Sequence, residues 1–171
     1  MPYSRLASVC IDYTNDQILY LGTGDHDYYY TGTGVWKSTD GGVTFSQTGL
    51  KTNLVVDMIM DPLDHNILVA VTNGGIYKTY NGGTSWTAKS STSIQFDDLK
   101  KKENASSRVL FAATTGSELY RSTDFGETWT QITSGIYIPA GFTSGAGCRI
   151  AVTPADSNVV YFAMVVKGGT I

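Results

Sequence analysis

The chain has 171 residues and a formal net charge of −3, with 12 Lys and Arg set against 15 Asp and Glu. That balance lacks the concentrated basic face of a nucleic-acid-binding domain, so no nucleic-acid partner is expected. No apolar stretch reaches the roughly 20 residues of a membrane-spanning helix, and no residue pattern calls for a cofactor.

Taken from the start, Ser8–Asp12 and Gln17–Leu21 read as two strands joined by the polar turn Thr14-Asn15-Asp16. The same strand, turn, strand pattern returns at Asp57–Met60 and Asn66–Val71 around Leu63-Asp64-His65, and at Arg149–Val152 and Asn158–Phe162 around Ala155-Asp156-Ser157. After each of the first two pairs comes a short run ending in an aromatic and a cation, Gly34-Val35-Trp36-Lys37 and Gly75-Ile76-Tyr77-Lys78; a third such run is Glu118-Leu119-Tyr120-Arg121. Each leads into a repeated phrase: Ser38-Thr39-Asp40-Gly41-Gly42-Val43-Thr44-Phe45, Thr79-Tyr80-Asn81-Gly82-Gly83-Thr84-Ser85-Trp86 and Ser122-Thr123-Asp124-Phe125-Gly126-Glu127-Thr128-Trp129.

The acid or amide of the phrase falls at 40, 81 and 124, so the repeat is 41 and then 43 residues long. A period of that length suits an array of small sheets set around an axis. Within each phrase, Asp40, Asn81 and Asp124 are expected to accept backbone N–H groups a residue or two further on. Gly42, Gly83 and Gly126 supply positive φ, and Phe45, Trp86 and Trp129 pack beside the turn. Asn81 keeps the acceptor oxygen of its counterparts without their charge, which makes the position structural and not catalytic.

The expected fold is therefore all-β: an incomplete β-propeller of about three and a half four-stranded antiparallel blades. Blade 1 covers 6–50, blade 2 covers 54–90, blade 3 covers 93–135, and 148–171 supplies the first two strands of blade 4. Since closed rings have roughly four to eight blades, the chain reads as part of a longer propeller, with the remaining blades as its structural partner and bare blade faces that favour association. Lys100-Lys101-Lys102 is assigned to a solvated turn of blade 3, and Val159–Val166 to a buried strand. Cys10 and Cys148 fall on innermost strands of well-separated blades. A disulfide needs Cα atoms within about 7 Å, so both are expected as buried free thiols.

The phrase Ser/Thr-x-Asp-x-Gly-x-Thr/Ser-Trp/Phe resembles the Asp-box, or BNR repeat, of β-propellers in sialidases, xyloglucanase-type glycoside hydrolases, sortilin-type receptors and bacterial secreted proteins. In such propellers the binding or catalytic centre lies on the face opposite the Asp-box turns. On that face, between the second and third strands, blades 2 and 3 need only a few residues. Blade 1 inserts Gly22–Thr33, which carries Asp25, His26, Asp27, Tyr28, Tyr29 and Tyr30. Carboxylates, an imidazole and consecutive tyrosines suit a surface that stacks sugar rings or grips a peptide; the same tyrosines packed down would form a cover over the end of the ring. Tyr137 and Phe142, in the long connection after blade 3, are further ligand-binding candidates or a hydrophobic plug. Asp25-His26-Asp27 lacks a nearby set of additional ligands, so no metal site is assigned.

Two functions follow from the resemblance. One is an extracellular or cell-surface bacterial propeller that binds a glycan, peptide or protein. The other is the N-terminal part of a xyloglucanase-type enzyme, whose early catalytic Asp corresponds to Asp25 and whose partner carboxylate lies in other blades; the chain alone would then be inactive. The departure from the usual text around Asp25 favours the binding reading. A sialidase is disfavoured because Ile136-Tyr137-Ile138-Pro139 lacks the family's arginine.

Overall fold

A computed structural model describes residues 5–25, 31–102, 107–136, 147–156 and 159–165. Three four-stranded sheets and one two-stranded sheet follow one another along the chain. The first holds β1 (Leu6–Asp12), β2 (Asn15–Thr23), β3 (Val35–Ser38) and β4 (Ser46–Gln47). The second holds β5 (Val55–Met60), β6 (Leu68–Thr72), β7 (Gly75–Thr79) and β8 (Thr87–Ala88). The third holds β9 (Phe96–Lys101), β10 (Leu110–Thr114), β11 (Leu119–Ser122) and β12 (Thr130–Ile132), and β13 (Gly147–Val152) pairs with β14 (Val160–Val165).

Every pairing is antiparallel between chain neighbours, so each sheet is a simple meander. Strands β1, β5, β9 and β13 lie side by side from sheet to sheet, which makes them the inner strands of successive propeller blades. The fold is an arc of a β-propeller. Register slips by one residue at Ala7, at Val56 and at Asp97, a bulge at one place on three inner strands. A bulge bends its strand and re-aims the side chains beside it, here at the mouth of the axis.

Each blade buries one face against the next. Tyr20, Val35 and Leu50 of the first blade meet Met58, Met60 and Leu68 of the second, with Trp86 packed at the margin. Val69, Val71 and Ile76 then meet Phe96, Leu99 and Phe125 of the third, with Trp129 in the corresponding place. Phe45 stands at the same position of the first turn but joins neither cluster, because no described blade precedes it. On that open side Leu6, Val9, Ile11 and Tyr13 are exposed.

The repeated turns join β3 to β4, β7 to β8 and β11 to β12, and their chemistry differs from the local expectation. The acceptor oxygen reaches four residues ahead: Asp40 Oδ1 accepts the Thr44 N–H at 2.9 Å, Asn81 Oδ1 that of Ser85 at 2.9 Å and Asp124 Oδ1 that of Thr128 at 2.9 Å. A hydroxyl two residues before the acceptor forms the hub. Ser38, Thr79 and Ser122 donate to the Asp or Asn oxygen and accept the N–H of Gly42, Gly83 and Gly126 at 2.9, 3.0 and 2.8 Å. The fourth bond reverses with the chemistry of the side chain: Thr44 and Thr128 hydroxyls donate to Asp, whereas Asn81 Nδ2 donates to the Ser85 hydroxyl. These bonds hold Asp40 and Asp124 at about 2, below the ordinary carboxylate range; the Thr44 hydroxyl dominates at Asp40, and at Asp124 the bonds outweigh the opposing effect of burial.

Two expectations are corrected. Lys100 and Lys101 belong to β9, and Lys100 Nζ meets Asp98 at 2.6 Å and Asp57 of the previous blade at 3.4 Å, so the basic run is partly an inter-blade tie. Val160–Val165 is strand β14, but Tyr161 remains 62% exposed because no described sheet covers its outward face. Cys10 and Cys148 are buried free thiols, Cys10 pushed up to about 11 by burial.

Candidate functional site

Meander topology places the β2–β3, β6–β7 and β10–β11 loops on the face opposite the repeated turns, together with the connections between blades. The bases of these loops share a threonine clasp. Thr72 Oγ1 donates to Gly75 O at 2.8 Å and accepts the Gly74 N–H at 3.0 Å; Thr114 Oγ1 accepts the Glu118 N–H at 3.1 Å. Thr23 does the same across a longer span, donating to Gly34 O at 2.8 Å and accepting the Thr33 N–H at 2.8 Å. The insertion of the first blade thus sits on an unchanged base. Thr23, Thr72 and Thr114 are buried, and aligning the repeats brings them into one column, a signal that sequence reasoning missed.

Asp25 leaves this clasp toward the axis. Its carboxylate is buried and paired with Arg5 Nη1 at 2.5 Å, while the Gly24 N–H binds Arg5 O at 2.9 Å. The side chain lines a cavity of about 450 Å³ whose other walls include Arg5, Asp57, Asp97, Asp98 and Arg149, contributed by inner strands and their approaches in all four blades. Sequence reasoning named Asp25 but not the acids around it. His26, Asp27, Tyr28, Tyr29 and Tyr30 lie outside the described residues, as do Tyr137 and Phe142.

The acids are not equivalent. Asp97 Oδ2 accepts the Cys148 N–H at 3.0 Å and Asp98 Oδ2 the Ile150 N–H at 2.7 Å, so this pair straps β13 to β9. Arg149 Nη1 returns a bond to Asp97 O at 3.1 Å. Asp57 instead has its pKa raised by burial, against the pull of Lys100. The mouth therefore combines four acids, of which Asp57, Asp97 and Asp98 also tie neighbouring blades, with two guanidinium groups. Among the described residues no cluster of three or more His, Cys, Asp or Glu is placed to hold a metal ion. No helix there is long and apolar enough to cross a membrane.

An arc of four-stranded blades around an axial mouth places the chain among the β-propellers. The family model described as sortilin, neurotensin receptor 3 (Sortilin-Vps10) matches residues 33–162. The chain belongs to that family. It is also 32% identical over 136 residues to a xyloglucanase of Hypocrea jecorina (strain QM6a), a match covering 77% of this chain and 14% of that protein. Among solved structures, an ancestral GH74 enzyme superposes with a TM-score of 0.70 at 19% identity, covering 93% of this chain and 22% of its own. YCF48 bound to D1 peptide superposes with a TM-score of 0.52 at 16% identity, covering 75% of this chain and 40% of its own. The chain thus spans about a seventh of the xyloglucanase and under a quarter of the GH74 enzyme.

Proposed function

We propose that this Asp-box propeller arc is a ligand-binding module of a bacterial extracellular or cell-surface protein, with the face opposite the repeated turns as its binding surface. The ligand is a glycan, a peptide or a protein segment, held by the first-blade insertion and the axial mouth. The observation that supports this reading is Asp25: it lies in the wall of the axial mouth and in the sequence directly precedes His26-Asp27-Tyr28-Tyr29-Tyr30. Tyrosines offer broad contact area at low entropic cost, and the mixed acids and guanidinium groups offer polar anchors for hydroxyl or amide groups. The solved YCF48 complex is a related fold occupied by a peptide.

A second reading is favoured by the xyloglucanase relative. In it Asp25 is one carboxylate of a glycoside hydrolase acting on β-glucans, its partner carried by further blades, and the 171-residue chain alone is inactive. Binding of the chain to arrays of β-glucan oligosaccharides and displayed peptides tests both readings. The binding-module reading expects a ligand whose affinity drops when Tyr28 and Tyr29 become Ala. Absence of any ligand across both arrays, or a ligand indifferent to Tyr28, Tyr29 and Asp25, overturns it. If a longer protein containing this chain hydrolyses a β-glucan and Asp25→Asn abolishes turnover while sparing binding, the enzyme reading replaces it.

A further inference from the structure

The two complete blade interfaces share a contact that no single repeat reveals. Three residues before the Asp or Asn of each repeated turn stands a cation: Lys37, Lys78 and Arg121. In the first interface Lys37 Nζ donates to Gly82 O of the following turn at 3.2 Å, and Tyr20, paired opposite Lys37, donates its hydroxyl to the same carbonyl at 3.2 Å. In the second interface Lys78 Nζ meets Glu127 Oε2 of the following turn at 3.2 Å and lies 6.0 Å from the Phe125 ring centroid. Val69, paired opposite Lys78, approaches that turn so closely that a Cβ on Gly126 would sit 2.7 Å from Val69 Cγ2. Each cation and its cross-strand partner thus form a seat, and the repeated turn of the next blade fills it.

Arg121 and its cross-strand partner Phe111 make the third seat. They line a hollow of about 700 Å³ whose other walls include Leu119, Ile132, Phe162 and Met164. We infer that this hollow is a socket for a β-hairpin carrying a turn of the same Ser/Thr-x-Asp/Asn-x-Gly type, with a carbonyl or carboxylate one to three residues after the acid or amide to meet Arg121. The socket continues the established interfaces: it repeats the strand positions, cation and apolar walls of two seats that are filled by such turns. Its apolar rim matches an aromatic such as Phe125, and the guanidinium adds a forked donor set suited to a carboxylate.

The socket is testable with the chain's own third hairpin as probe, a cyclised peptide of residues 118–132 that natively seats on Lys78. Cyclisation limits the ordering cost of a hairpin that is marginal alone. Calorimetry on the 171-residue chain should show saturable one-to-one binding. Arg121→Glu, at an exposed position that leaves the melting curve unchanged, should weaken the peptide by about tenfold or more, the effect of opposing like charges across an interface. The Glu127→Lys peptide should recover that loss on the Arg121→Glu chain and lose affinity for the unaltered one. No binding, or binding that ignores both charge reversals, overturns the assignment. Self-association that Arg121→Glu abolishes, with no peptide uptake, gives the socket to a second copy of the chain and overturns it equally.

Discussion

Glu127 makes the sharpest test of how the blades are held together. Its carboxylate receives Lys78 Nζ at 3.2 Å, and Lys89 Nζ and the Tyr80 hydroxyl at shorter range, all three from the preceding blade. Lys78 is only 2% exposed, and its ammonium also lies 5.1 Å from the Tyr80 ring centroid. Replacing Glu127 by Gln leaves that buried cation without its counter-charge. Removing one partner of a fully buried pair costs about 3–5 kcal/mol. Here the Glu127 side chain is 44% exposed, so solvent screens part of the interaction, and the two rings still face the cation. Both effects reduce the expected loss to about 2 kcal/mol.

Equilibrium urea unfolding of the 171-residue chain measures this as a lower midpoint at constant slope. A double-mutant cycle isolates the pair: in a Lys78→Met background, where the buried ammonium is gone and the Lys89 contact remains, Glu127→Gln should cost about 1 kcal/mol less than in the unaltered chain. The pH dependence gives an independent check. Hydrogen bonds, first from Lys89 and then from Tyr80, hold Glu127 at about 2 against an ordinary 4.5. A depressed acid contributes its full stabilisation above the unfolded value, so the difference between the unaltered chain and Glu127→Gln should shrink as pH falls from about 4.5 toward 2. Equal losses in both backgrounds, with a difference independent of pH in that window, would refute the view that this cluster joins the second and third blades.

Three further outcomes are expected. Asp40 and Asp124, held near 2 by their turn bonds, should remain ionised at pH 3 in a carbon-detected NMR titration; their stabilisation is complete above about 3.8 and fades as pH falls toward 2, whereas the Asn81 turn has no such term. Gly126→Ala should destabilise by about 1–3 kcal/mol in urea, because φ is +77° and the new Cβ meets Val69 Cγ2 at 2.7 Å, while a Cβ at Gly42 finds its nearest atoms at 3.8 Å and carries mainly the cost of positive φ. Cys10, buried and with its thiol raised to about 11, should resist a thiol reagent at pH 8 until urea unfolds the chain; rapid labelling of the folded protein at Cys10 would contradict its place between the first two blades.

Residue spacing made the blades legible because each repeated turn is a local device. Hydroxyl, acceptor, glycine and closing aromatic lie within eight residues, so one phrase specifies a bend and three phrases specify its period. Even there, chemistry learned from ordinary turns misplaced the bond: the acceptor serves the residue four ahead, and the neglected Ser38, Thr79 and Ser122 hydroxyls tie acceptor to glycine. What joins the blades was not legible in the same way. Glu127 finds Lys78 across 49 residues, Arg108 reaches Asp61 at 2.7 Å from the next blade, and His65 reaches Asp12 at 2.7 Å from the next blade again. Positions recur, with Asp12 and Asp61 each at the end of an inner strand and Lys37 and Lys78 each three residues before the turn's acceptor. The partner changes in type, from His65 to Arg108 and from the Gly82 carbonyl to the Glu127 carboxylate, so the repeated text does not announce the pairings.

The axial mouth is harder still to read, and for a related reason. Asp25 stands out in sequence because it opens an insertion, but Asp57, Asp97 and Asp98 look like ordinary polar residues at the starts of strands. Bulges at Val56 and Asp97 alter the alternation that would otherwise assign each side chain to a blade face. Asp97 and Asp98, adjacent along β9, consequently both reach β13, an outcome strict alternation forbids. The same irregularity that hides these acids from a periodic reading gathers them at the axis. In a repeat fold, departures from the period on the inner strands are therefore where a binding centre can be built without disturbing the turns that hold each blade.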